Sequence, residues 1–331
     1  AGKPIRFAVK EPRLWTPDDP HLYPVEVELV GADGKVADRV GSYFALRTIT
    51  KARDEKGILR LCLNGKPLFQ IGPLDQGWWP DGLLTPPSEA AMEWEISWLR
   101  QAGFNMLRKH IKVEPARYYY LCDKLGMMVW QDMPSGFNLG LRNGGQDAGE
   151  PIRSSVSREQ HELELRRMLG RLYNAPSIVM WVIHNEGWGQ YESKALAQWV
   201  HAIDPSRLVN ADTGWLDMNA GQLYDIHTYQ PIPNQPEPKS DRAIVLGEYG
   251  GVGWPLADHL WNPAMRNWGY QIGEGSVETF YDAGSLWTAG GSSKIRHSVG
   301  AGFRQGIFVL TVAFPVVEGR VTPVFMAGMN Y

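Results

Sequence analysis

From about residue 60 onward, short apolar runs alternate with longer amphipathic stretches, and this alternation constrains the fold more than any other feature. The amphipathic stretches have helical spacing; one begins at Ser88 and ends before Gly103, and another covers residues 157–173. The apolar runs read as strands buried on both faces. They cover residues 67–71, 105–110, 127–131, 178–183, 208–211, 224–227, 243–247 and 306–312. Eight strands with interleaved helices predict an α/β fold, a (β/α)8 barrel.

The first fifty residues have a different pattern. Apolar and polar positions alternate on both sides of a turn at Asp33-Gly34, as in antiparallel strands. We therefore assign residues 1–50 to part of a β-sandwich and residues 51–331 to the barrel. Because the chain opens inside strand-like sequence, we expect it to be a piece of a longer protein.

Composition excludes several classes of partner. The net charge of −3 offers no general attraction for nucleic acid or anionic membranes, and no apolar run is long enough to span a bilayer. The two cysteines, Cys62 and Cys122, have no metal-ligand spacing around them. We expect no cofactor and no metal. The 14 tryptophans suit a site that stacks on sugar rings, although they could equally fill a large core.

Two glutamates stand at the exits of predicted strands. The run 178–183 leads directly into His184-Asn185-Glu186, and the run 243–247 leads into Glu248. A lone glutamate at a strand end commonly forms an ion pair or caps a helix. Two of them in one barrel, each beside glycine and on strands 4 and 7, favour catalysis by a pair of carboxylates.

These motifs resemble glycoside hydrolase family 2, the family of β-galactosidases, β-glucuronidases and β-mannosidases. The resemblance covers nearly the whole chain to about residue 270. LWTPDDPHLYPVEVEL and FALRTI are similar to the end of the family's immunoglobulin-like sandwich. The barrel is represented by LNGKPLFQIG, WLRQAGFNMLRKH, LCDKLGMMVWQDMP, IHNEGWG and LGEYGG.

The resemblance implies a retaining β-glycosidase that removes terminal sugars through a covalent glycosyl-enzyme. Glu248 would be the nucleophile and Glu186 the general acid and then the base. Asn185 would hydrogen-bond the sugar 2-hydroxyl.

Other candidate substrate-binding residues leave neighbouring strands. Arg108 could hold the nucleophile electrostatically or form a rim salt bridge, and Asp132 could bind a hydroxyl or cap a loop. His184 could instead be a barrel-core histidine. The remaining candidates are His110, His227, Tyr229, Trp188 and Trp215, with Trp254 as a further exit-loop tryptophan.

The resemblance has two gaps. The family's first domain, a jelly roll, has no counterpart, and the run 306–312 is apolar where relatives carry sugar-contacting residues. Two alternatives therefore stay open. One is a carbohydrate-binding remnant with little activity, and the other is an endo-glycanase with the same arrangement of strands 4 and 7.

Overall fold

The computed structural model describes residues 8–134, 136, 149–229 and 241–250, and four strands between residues 275 and 329. The chain divides into two compact units. The first unit holds Ala1–His227 with Pro236–Glu248, and the second holds Thr228–Gln235 with Tyr249–Tyr331. Both predicted catalytic glutamates belong to the first unit.

The first unit opens with antiparallel strands, as predicted. Strands β1 (Tyr23–Val30) and β2 (Val36–Phe44) pair so that Tyr23 lies opposite Phe44, and the two rings stack with centroids 5.0 Å apart. A three-stranded antiparallel sheet follows, made of β3 (Ile49–Arg53), β4 (Leu59–Leu63) and β5 (Lys66–Pro67).

Seven further strands supply the barrel. Five form one parallel sheet in chain order: β6 (Leu74–Asp75), β7 (Met106–Lys109), β8 (Met128–Asp132), β9 (Ile178–Asn185) and β10 (Leu208–Thr213). The next two, β11 (Leu223–Thr228) and β12 (Ala243–Tyr249), pair with each other. Predicted strands two to seven are therefore confirmed.

The first barrel strand lies later than predicted. A tight turn at Asn64-Gly65, both with positive φ, folds Lys66–Pro67 back onto β4, so Pro67, the first residue of the run 67–71, belongs to a hairpin. The regular pairing with β7 is made instead by Leu74–Asp75. The prediction was wrong because the apolar run indicated a strand but not its partner.

The predicted eighth barrel strand was also wrong. Within the second unit, β15 (Phe308–Val316) pairs antiparallel with β14 (Lys294–Gln305) and β16 (Val324–Met329). Strand β13 (Gly275–Leu286) completes this four-stranded sheet by pairing with β14. An apolar run of this length suits a buried parallel strand or a long antiparallel one, and only its neighbours distinguish the two.

Four helices alternate with the barrel strands, as predicted. They are α1 (Glu89–Gln101), α2 (Ala116–Leu125), α3 (Ser155–Leu172) and α4 (Ser193–Ile203). The Ser88 hydroxyl accepts a hydrogen bond from Ala91 N and so caps α1. Among the described residues, no helix is long and apolar enough to cross a membrane.

Two apolar clusters hold the first unit together. One lies between the barrel strands and the helices and includes Leu107, Trp181 and Leu165. The other fills the barrel interior with side chains such as Met128 and Met180, and it includes Trp15 from the N-terminal segment. Polar side chains replace apolar ones toward the carboxyl ends of the strands, which places the site there.

Candidate active site

Arg108 is the centre of a buried polar network at the end of β7. Its guanidinium pairs with Asp132 through two hydrogen bonds, Nε to Oδ1 at 3.0 Å and Nη2 to Oδ2 at 2.9 Å. It also donates from Nη1 to Glu248 Oε1 at 3.1 Å and from Nη2 to Asn185 Oδ1 at 2.9 Å. Its side chain is only 2% exposed. Arg108 on β7 therefore joins residues from three other strands, β8, β9 and β12.

The charges around Arg108 offset the effect of its burial. Burial alone lowers the pKa of an arginine, but the Asp132, Asp225 and Glu248 carboxylates together raise the pKa of Arg108 above its usual value. For Asp132, burial raises the pKa while Arg108 opposes that rise. Arg108 therefore remains charged.

Glu186 and Glu248 face each other closely. A carboxylate oxygen of Glu186, a ring nitrogen of His227 and a carboxylate oxygen of Glu248 all lie within 4.8 Å of one another. A carboxylate oxygen of Glu186 thus lies within 4.8 Å of one of Glu248. Glu186 adopts a left-handed conformation with φ 51°, which is unusual for a residue other than glycine.

His227 connects the two glutamates. Its Nδ1 lies 2.9 Å from Glu186 Oε1 and 3.6 Å from Glu248 Oε1, and its Nε2 lies 3.3 Å from Arg108 Nη1. A guanidinium can only donate, so this contact matches the tautomer in which Nε2 accepts and Nδ1 carries the ring proton. His227 therefore donates to the Glu186 carboxylate.

Three residues that sequence reasoning missed support this arrangement. The first is Asp225, which accepts hydrogen bonds from Gly247 N at 2.9 Å and from Asn210 Nδ2 at 2.5 Å. Gly247 directly precedes Glu248, and a Cβ on Gly247 would lie 2.1 Å from Asp225 Oδ1. Asp225 precedes His227 by two residues in β11, and this same-face spacing was a usable signal.

The other missed residues are Thr213 and Gly214 at the end of β10. The Thr213 hydroxyl lies 3.1 Å from Asn185 Oδ1. The backbone carbonyl of Thr213 accepts a hydrogen bond from Glu186 N at 3.0 Å. A Cβ on Gly214 would lie 2.6 Å from His227 Nδ1, so the absent side chain leaves room for the imidazole. No sequence signal singled out either residue.

His110 lies beside the nucleophile candidate. Its Nε2 is 3.7 Å from Glu248 Oε1, and its Nδ1 is 3.2 Å from Gln76 Nε2. Burial and the Arg108 charge lower the pKa of His110 to about 4. The imidazole is therefore neutral at pH 7.

The remaining candidates differ in their exposure and surroundings. The indole rings of Trp188 and Trp215 are about half exposed, and Tyr229 is partly buried just beyond β11. His184 is buried and stacks on His161 with ring centroids 5.7 Å apart. It is therefore a core histidine in this structure. Trp254 lies outside the described residues.

Glu186, His227 and Glu248 also form a donor set that a divalent cation could use. However, Arg108 already places a positive charge 3.1 Å from Glu248 Oε1. A second cation at this position would meet the guanidinium. The chemistry of the site therefore favours an acid–base carboxylate pair over a metal centre.

The comparisons with known proteins agree with this architecture. The family model "Glycosyl hydrolases family 2, TIM barrel domain" matches residues 86–250, and "Glycosyl hydrolases family 2" matches residues 2–47. The second match covers the sandwich segment. Together the two matches span nearly two thirds of the chain.

Solved structures show the same fold. A β-D-glucuronidase from Dictyoglomus thermophilum is 20% identical with a TM-score of 0.60, over 78% of this chain and 48% of that protein. A galacturonate-bound β-galacturonidase from Eisenbergiella tayi is 19% identical with a TM-score of 0.58, over 78% and 47%. A β-D-mannosidase from Dictyoglomus thermophilum is 26% identical with a TM-score of 0.53, over 67% and 29%.

The chain is short relative to these proteins. It spans between about a quarter and a half of their lengths, from 24% of a Parabacteroides merdae β-glucuronidase to 48% of the Dictyoglomus enzyme. The family-model match over residues 86–250 nevertheless includes both Glu186 and Glu248. With its barrel preceded by part of an immunoglobulin-like sandwich, the chain belongs to glycoside hydrolase family 2.

Proposed function

We propose that this chain carries the catalytic centre of a retaining β-glycosidase, with Glu248 as nucleophile and Glu186 as general acid and base. The observation that carries the proposal is the carboxylate oxygen distance of at most 4.8 Å. Retaining enzymes hold their carboxyl groups about 5–5.5 Å apart, whereas inverting enzymes need about 6.5–9.5 Å to admit a water. Two carboxylate oxygens within 4.8 Å of each other leave little room for a water between them, and this favours direct attack by one carboxylate.

In the first step, Glu248 attacks the anomeric carbon and the bond to the leaving oxygen breaks. Glu186 donates a proton to that oxygen. Because Glu186 Oε1 accepts from His227, the transferable proton resides on Oε2. In the second step, water attacks the glycosyl-enzyme, Glu186 takes its proton, and the Glu248 carboxylate is released.

Neighbouring side chains hold the substrate and the nucleophile. Arg108 holds Glu248 through a charge-assisted hydrogen bond, and Asp132 fixes the guanidinium from its other edge. Asn185 donates to the sugar 2-hydroxyl, a contact that strengthens in the transition state. The exposed rings of Trp188 and Trp215 stack on sugar faces.

The proposed substrate class is terminal β-linked sugars of oligo- or polysaccharides. The similar solved structures are named for glucuronate, galacturonate and mannose, which differ in the C6 group and in hydroxyl stereochemistry. The test is a panel of aryl β-glycosides of these sugars and of galactose, incubated with the chain and with Glu248→Gln. Turnover of one sugar that is lost in Glu248→Gln supports the proposal.

The two glutamate roles are separated by Glu186→Ala. This variant should still form the glycosyl-enzyme from aryl glycosides with activated leaving groups, because these need little protonation, but it should hydrolyse that intermediate slowly. Added azide should restore its rate and give a β-glycosyl azide, since azide attacks the glycosyl-enzyme without base catalysis. Wild-type rates in both variants would contradict the assigned roles.

A carbohydrate-binding remnant is the second candidate. It is favoured by one observation, the antiparallel pairing of β15 where an eighth barrel strand was predicted. Retention on a glycan affinity gel, without turnover of any glycoside by the folded chain, would support this candidate over the enzyme.

A further inference from the structure

The side-chain amide of Asn185 is held in one orientation. Its Oδ1 lies 2.9 Å from Arg108 Nη2 and 3.1 Å from Thr213 Oγ1. A guanidinium carries only donors, so the amide oxygen must face Arg108, and Nδ2 must face the other way. The network therefore presents Asn185 as a hydrogen-bond donor.

Thr213 contacts this motif in two places. Its side chain is buried, and its hydroxyl lies within hydrogen-bond distance of Asn185 Oδ1, of His184 O at 3.2 Å and of Arg108 Nη2 at 3.4 Å. Its backbone carbonyl accepts from Glu186 N at 3.0 Å, and Thr213 pairs with Asn185 in the β9–β10 ladder. A single residue thus touches both proposed functional positions.

The backbone at Thr213 has little freedom to move. Gly214, the next residue, has φ 75°, and its Cα lies so close to the His227 ring that a Cβ would overlap the imidazole. The ladder with β9 holds Thr213 from the other side. A change in the Thr213 hydroxyl should therefore alter hydrogen bonding without moving the strand.

We propose that Thr213 is a positioning residue, whose hydroxyl keeps the Asn185 amide donor directed at the sugar 2-hydroxyl. This inference rests on the proposed function. The Thr213 side chain is buried, so we assign it no direct contact with the sugar. Its effect on the reaction passes through Asn185 and should therefore depend on whether the substrate has a 2-hydroxyl.

The test uses two variants and two substrates. Thr213→Val removes the hydroxyl and keeps the branched shape, whereas Thr213→Ser keeps the hydroxyl. Each is assayed on an aryl β-glycoside of the sugar identified in the panel and on its 2-deoxy analogue. We expect Thr213→Val to lose about 10- to 100-fold in kcat/KM on the 2-hydroxy substrate and less than about 3-fold on the 2-deoxy substrate. Thr213→Ser should stay within about 3-fold of wild type on both.

Two outcomes would overturn the proposal. An equal loss by Thr213→Val on both substrates would mean that the residue acts only on the structure of the barrel. An equal loss in Thr213→Ser would mean that the hydroxyl is not responsible.

Failure of the proposed function gives a different result, namely no turnover by wild type. Calorimetric binding of the free sugar and of its 2-deoxy form then still tests Thr213. The measured quantity is the ratio of the dissociation constants of the two sugars. If wild type prefers the 2-hydroxy sugar and this preference is smaller in Thr213→Val, the positioning role is supported. An unchanged ratio contradicts it.

Discussion

Arg108 Nη1 and Glu248 Oε1 are 3.1 Å apart, and both side chains are largely buried, at 2% and 11% exposed. This charge-assisted hydrogen bond crosses from β7 to β12 and holds the proposed nucleophile in place. Because Asp132 occupies the opposite edge of the guanidinium, Arg108 cannot rotate away from Glu248 without breaking a second buried pair.

We expect Arg108→Lys to lower kcat/KM by at least about 100-fold on the substrate identified in the panel. Lysine keeps the charge, but it has no planar fork that can bind Asp132, Glu248 and Asn185 together. Arg60→Lys is the matched control, because Arg60 is an exposed arginine with an ion pair to Asp54. Activity within about 3-fold of wild type in Arg108→Lys would show that the fork geometry is not required.

His227→Phe should affect proton donation more than nucleophilic attack. Phenylalanine keeps a ring over Gly214 but removes the 2.9 Å hydrogen bond to Glu186. The loss in kcat/KM should therefore grow as the leaving group becomes more basic. The measurement is a series of aryl glycosides with different leaving-group pKa values. If the loss in kcat/KM were the same for every leaving group, His227 would have no part in the proton-transfer step.

Gly247→Ala should destabilise the fold by more than about 2 kcal/mol, because its Cβ would lie 2.1 Å from the buried Asp225 carboxylate. Gly170→Ala is the matched control. Gly170 lies within α3, and a Cβ added there would meet no atom within 4 Å, so alanine should stabilise by about 0.5–1 kcal/mol. Urea unfolding measures both changes, and equal effects would contradict the steric explanation.

Glu95 should make the chain less stable as the pH rises. Burial, together with the nearby Asp75 charge, raises the pKa of Glu95 to about 7 in the folded state, against an ordinary value near 4.5. A raised pKa means that the folded state is favoured below pH 4.5 and loses this contribution as the pH rises through 7.

Glu95→Gln should therefore gain stability relative to wild type between about pH 5 and pH 8. Glu159→Gln, at an exposed position on α3, should show no such trend. The measurement is the free energy of unfolding in urea at both pH values. A difference between Glu95→Gln and wild type that is the same at both would contradict the burial effect.

Much of the candidate site could be predicted from local sequence. The strand that ends at Asn185 and the strand that contains Glu248 both follow from apolar runs, and parallel strands place their carboxyl ends at one rim. Arg108, Asp132 and His227 were found by the same rule. Each of these predictions depends on one strand and its exit, and the structure brings the three side chains together at the ends of β7, β8 and β11.

The partners of a strand were harder to predict. The runs 67–71 and 306–312 had the composition of buried strands, but the first begins in a hairpin and the second lies in an antiparallel sheet. Apolar composition indicates burial, whereas pairing depends on turns and on segments elsewhere in the chain.

The sequence by itself therefore determined the alternation of strands and helices, the family, and the positions of the two proposed catalytic glutamates. These features depend on periodicity and on residues next to one another in the chain. Only the tertiary structure placed Asp225 against Gly247 N, the Thr213 hydroxyl against Asn185 Oδ1, and His227 within reach of both Glu186 and Glu248. Each of these contacts joins residues from different strands. Their distances are set by barrel packing, which no local pattern specifies.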